Sequence, residues 1–176
     1  VANTVSSLYD LAAEVLTVSQ DCLATTAAGT PAISYVSPAT PAFDCCPALI
    51  VHVQSLTEET TSPLSPAPAT GARAGSFGRI NLAQLVVSAL RCAPRLQNDG
   101  SVLVADKQAV ALEVLEDGWA LWCGFAHAIQ CGSFQGLCSD VHFDRGQSIN
   151  EQGGCVGWQF NFRAMIEGIP NPGCGS

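Results

Sequence analysis

Apolar residues recur at three- and four-residue steps from Val5 to about Thr25: Leu8, Leu11, Val15, Val18 and Cys22, with Asp10, Glu14 and Asp21 elsewhere on the cylinder. That spacing predicts a first helix with Leu11 and Val15 in the core. The stretch "AAGTP" closes it, with Gly29 as C-cap and Pro31 just beyond. "YVSPATPAFD" reads as a connector, because each X-Pro step favours extended backbone. The period then changes. In "ALIVHVQSL", Leu49, Val51 and Val53 share one face of a predicted strand, and Ile50, His52 and Gln54 share the other. "RINLAQLVVSALRCA" is a second, longer strand, with Leu82 and Val86 on one parity and Leu85 and Val87 on the other. Apolar residues on both faces predict a central strand. Asp99-Gly100 marks a turn.

A second long helix is expected from about Asp106 to Ile129, its buried stripe traced by Val110, Val114 or Leu115, Trp119, Trp122, Ala126 and Ile129. Gly118 within it costs about 1 kcal/mol relative to alanine, which points to close packing there. Cys131-Gly132 ends the helix. "SDVHFDRG" and "GCVGWQFNFRAMIEG" supply the last strands; in the latter, Trp158, Phe160 and Phe162 alternate with Gln159, Asn161 and Arg163 and are expected in the core. The order of elements predicts an α+β fold: a mostly antiparallel sheet with two long helices packed on it. Between the first two strands lies Thr57–Gly78, with three prolines, three glycines and almost no large apolar residue. A loop that long is uncommon in a compact domain without a role, and it is expected to project. The tail, 167–176, reads as irregular.

Composition narrows the function. The 176 residues suit one domain, 48% of them hydrophobic and only 12% charged, so much of the surface is expected to face other protein. The net charge is −8, with Lys107 the only lysine beside six arginines, a balance that argues against gripping a phosphate backbone. No window is apolar enough to span a membrane, and "VANTVSSLYD" lacks the features of a signal peptide. Nine cysteines are an odd count in a chain too long to depend on staples. Mostly reduced thiols are expected, with Cys22, Cys92, Cys123 and Cys155 acting as small hydrophobes.

Catalytic patterns are not found. Cys45-Cys46 are adjacent, not spaced as zinc ligands, and Cys131 and Cys138 have no second pair close in sequence. The histidines His52, His127 and His142 accompany no activated-nucleophile signature. Glu113, Glu116 and Asp117 read as a solvated helix face. No enzyme activity, cofactor or metal is expected.

"CCPALIVHVQSL", a long loop, "GRINLAQLVVSALRCAP", "EVLEDGWALWCGF" and "GGCVGWQFNFRAMI" together resemble small virion proteins of long-tailed phages that infect actinobacteria, and most of all the tail terminator family. The resemblance covers about residues 8 to 166. It implies a single structural domain, 1–176, that forms a six-fold ring at the head-proximal end of the tail tube. Such a ring ends tube polymerisation and joins the tail to the head connector. The implied partners are further copies of the chain, the tail tube protein and a connector or stopper protein, with genome DNA passing through the lumen without specific binding. The projecting loop is expected to make contacts through Glu58, Glu59, Pro63 and Leu64, and through Pro66, Arg73, Phe77 and Arg79. The alternatives are a neighbouring stopper or tail-completion protein, a secreted disulfide-bearing binding domain, and a thiol enzyme.

Overall fold

The computed structural model describes residues 4–41, 47–59, 80–95, 97–138 and 140–167. Their elements run in the order α1 (Thr4–Leu23), β1 (Ile33–Ser37), β2 (Ala48–Glu59), β3 (Ile80–Cys92), α2 (Val104–Cys131), β4 (Asp140–Gln152) and β5 (Cys155–Glu167). The five strands form one sheet in the order β1-β2-β3-β5-β4. Only the β1–β2 pairing is parallel; the other three are antiparallel. This is the expected α+β architecture.

Both helices lie on one face of the sheet. Their apolar residues meet Leu49 and Val51 of β2, Ala83, Leu85, Val87 and Ala89 of β3, and Phe160, Phe162, Ala164 and Ile166 of β5. From α1, Leu11 and Val15 enter this core as the periodicity predicts. Val53 and Trp158 are partly buried and pack against it. An aromatic nest forms the centre: Phe125 meets Phe162 edge-on at 4.6 Å between centroids, and Phe143 lies 5.2 Å from Phe162, arrangements that rings favour. The helix-free face has a second apolar cluster of Ala48, Ile50, Leu90 and Cys155. Val86 and His52 are buried on that face too, while Leu82 is half-buried. β3 is therefore apolar on both faces, as its sequence indicates.

The structure corrects several boundaries. β1 forms where a connector is expected. It is only five residues long, has two serines and is flanked by prolines, so its pattern is too short to register; its pairing with β2, Val36 against Val51 for example, is what makes it a strand. Thr57, Glu58 and Glu59 belong to β2, not to a loop, because they pair with Leu82, Asn81 and Ile80 of β3. Of the other expected contact residues, Pro63, Leu64, Pro66, Arg73, Phe77 and Arg79 lie outside the described residues, as do Cys45 and Cys46. β4 runs to Gln152, six residues beyond the expected end, with register shifts between Phe143 and Arg145 and between Ile149 and Gln152. Those irregularities break the two-residue alternation that would have revealed it. β5 continues to Glu167, so the tail begins after that residue.

Candidate interaction surface

α2 carries two apolar seams, and only one can face the sheet. The inward seam is Gly118, Leu121, Phe125 and Ala128, next to Asp117, and all five residues are buried. Two glycines explain why this seam wins. A Cβ on Gly118 would collide with the indole nitrogen of Trp158, and one on Gly124 would overlap the Cys22 sulfur. The helix axis therefore approaches β5 and α1 more closely than any side chain at those positions permits.

A buried ion pair fixes the same rotation. Arg91 of β3 donates from Nε to Asp117 Oδ2 at 2.6 Å and from Nη2 to Oδ1 at 3.0 Å. Its guanidinium also donates to the Gly29 carbonyl at 2.6 Å, and the Thr26 hydroxyl donates to Asp117 Oδ1 at 3.1 Å. The bidentate pair thus ties β3, α2 and the turn after α1 together, with its remaining capacity used locally. Asp117 is not on a solvated face. Turning the tryptophan seam inward would strand Arg91 without its counter-ion, an arrangement that costs several kcal/mol.

The middle of the expected stripe therefore points outward and is joined by Leu112, while Ile129 at its end packs against the core. Leu112 is 59% exposed, Leu115 62%, Trp119 70% and Trp122 44%, which removes Leu115, Trp119 and Trp122 from the core. Their steps of three, four and three residues align them on one side of α2. That side lies away from α1, since Cys22 of α1 and Thr26 of the turn after it meet Gly124 and Asp117. It lies instead above the edge strand β4, where Trp122 packs on Phe143 with centroids 4.7 Å apart. The seam itself carries no charge. At about 200 Å² for each large side chain, its exposed area is on the order of 500 Å², near the upper end for a surface patch on a monomer.

Groups that could do chemistry stand elsewhere and apart. The His127 Nε2 and Cys131 Sγ atoms are 3.5 Å apart on the exposed end of α2, one helical turn from each other. Burial raises the Cys22 thiol pKa, with Asp21 and then Cys123 adding to it; burial also raises that of Cys138, with Asp140 adding to it. These are shifts away from the reactive thiolate. Cys22, Cys92, Cys123, Cys131 and Cys138 are free. Cys155 departs from expectation: it is buried but disulfide-bonded.

Among the described residues, no three His, Cys, Asp or Glu side chains cluster as metal ligands. An open cleft of about 490 Å³ runs between the end of β3 and the start of α2, where Arg91 and Arg95 stand with Asp106 and Glu113. On the helix-free face a hollow of about 390 Å³ is lined by Gln54, Gln84, Arg145, Gln147 and Gln159. Cys92, whose thiol is free, also lines the first cleft, and Asp144 and Asn161 the second. No helix among the described residues is long and apolar enough to cross a membrane. No protein-family model matches the chain, and no curated protein matches it either.

Proposed function

We propose that this chain is a structural virion subunit of the tail terminator kind. Copies form a six-fold ring at the head-proximal end of a tail tube, ending its growth and offering the surface that receives the head connector. The observation that carries this reading is the exposed seam on α2. It coincides with "DGWALW", one of the motifs on which the resemblance rests. In that motif Asp117 and Gly118 turn inward to lock the helix, while Trp119 and Trp122 face out. A motif half devoted to folding and half presented to solvent suits a protein whose work is done by contacts. The net charge of −8 suits a lumen through which DNA slides, because like charges repel.

The test is a phage encoding this chain in which its production is blocked. Tails of uncontrolled length that fail to join heads are expected, with rescue by the chain supplied in trans. Normal, head-joined tails in its absence would overturn the proposal. The disulfide at Cys155 favours one alternative, a secreted disulfide-bearing binding domain. That reading requires several bridges and a strict monomer, so an unreduced intact mass showing a single bridge would count against it.

A further inference from the structure

We infer that Cys92 is an exchange partner for the Cys155 disulfide: its thiol attacks the Cys155 sulfur and moves the bridge onto the β3–β5 ladder. Nothing in this step depends on the ring reading.

The register brings the two residues together. Cys92 ends β3 and Cys155 begins β5, and they stand directly opposite in the antiparallel pair. Arg91 turns toward Asp117 of α2, so Cys92, one residue on, turns to the helix-free face. Cys155 is on that face as well, in the cluster with Ala48, Ile50 and Leu90. The ladder also fixes how near they come. The Ala93 N–H donates to the Gly154 carbonyl at 2.7 Å, which makes Ala93 and Gly154 a hydrogen-bonded pair. Cys92 and Cys155, the next pair along, are therefore of the non-hydrogen-bonded kind, with Cα atoms about 4.5 Å apart and side chains close. A disulfide accepts Cα separations of about 4.4–6.8 Å.

The reactants are already in place. Cys155 is buried and disulfide-bonded, whereas Cys92 is free and exposed, so the bridge of Cys155 runs to a different cysteine. A free thiol is thus held across the ladder from a disulfide sulfur. In the exchange, Cys92 gives up its proton to water and its sulfur bonds to Cys155 Sγ. The bond from Cys155 to its present partner breaks, and that partner leaves as a thiolate and takes up a proton. One disulfide is lost and one is gained, so no oxidant or reductant is consumed. Gly153 and Gly154, both at positive φ, form the turn just before Cys155 and let its backbone adjust. The bridge then staples β3 to β5 at one end, and a cysteine elsewhere is released. Because the bonds broken and formed are of one kind, the two forms should stand within about tenfold of each other.

Peptide mapping of the full chain tests this. Trypsin places the two residues on separate peptides, 92–95 and 146–163, each with one cysteine. The protein is purified without reductant and held at about pH 8 without oxygen, where thiolate forms. Samples are quenched in acid, alkylated, digested and read by mass spectrometry. Peptide 92–95 is expected bonded to 146–163 in a tenth or more of the chains, roughly, with the number of alkylated thiols per chain unchanged. These chains should run as monomers on a non-reducing denaturing gel. In Cys92→Ser, whose folding far-UV circular dichroism checks, Cys155 should keep a single partner.

Complete alkylation of Cys92 at all times, with Cys155 bonded to one unchanged peptide, would overturn the inference. So would a Cys92–Cys155 link that costs free thiols, since that is oxidation and not exchange, or a link confined to covalent dimers. A Cys155 that carries no disulfide at the outset, or one that changes partners in Cys92→Ser, would count against it equally.

Discussion

Arg91 and Asp117 are the buried charged side chains of the described chain, and their positions decide which way α2 turns. Removing one partner leaves a charge in a site that water does not reach. Arg91→Met is therefore expected to cost about 3–5 kcal/mol, and the double variant Arg91→Met with Asp117→Leu should recover most of that loss. Urea unfolding of the single and double variants measures both. A neutral single variant would show that the pair does not hold α2. His52 is a different kind of buried group: among the described residues its Nδ1 has no hydrogen-bond partner, and burial lowers its pKa. The folded state therefore resists protonation that the unfolded chain accepts near its ordinary pKa of about 6.5. Below that pH the unfolded state binds more protons, so this residue makes the protein less stable as pH falls. His52→Leu should flatten the decline in stability between about pH 7 and pH 5 relative to wild type. An unchanged slope would mean that His52 titrates normally in the fold.

At the scale of one helix, the two seams of α2 make opposite predictions. Trp119→Ala should change stability by less than about 0.5 kcal/mol, as exposed positions usually do. Trp158→Ala, which removes the ring against Gly118, should cost about 3 kcal/mol or more. Gly118→Ala pushes a methyl group into that same ring and should cost about 1–3 kcal/mol. Thermal melts of the three variants rank them, and equal losses at Trp119 and Trp158 would mean that α2 is turned the other way. The same helix shows how far the sequence speaks. Its length, its glycine end and the packing role of Gly118 follow from local pattern, and Gly132 indeed caps it in the left-handed conformation. Its rotation does not follow. Hydropathy ranks tryptophan and leucine above glycine, alanine and aspartate, so the periodic stripe has the pattern of a buried one. The inward choice depends on Arg91, distant in sequence, and on how closely Trp158 and Cys22 approach the glycines. β5 alternates strictly and is plain in the sequence; prolines mask β1, and bulges mask the end of β4. Of the interaction surface, the residues were visible as a stripe, but not the fact that solvent meets it.

Across the whole molecule, the last strand in sequence is not the last in space. β5 lies between β3 and β4, and β4 pairs with no other described strand. The sheet is therefore complete only after residues 155 to 167 join, and the core residues Phe160, Phe162, Ala164 and Ile166 arrive with them. β3, flanked on both sides, and β5, inserted between two partners, should be the most protected elements, exchanging their amide hydrogens only through global unfolding. β1 has one neighbour and five residues, so its amides should open locally and exchange much faster in the monomer. Hydrogen exchange at low concentration would read this order of protection. At low concentration, protection of β1 equal to that of β3 would contradict this hierarchy.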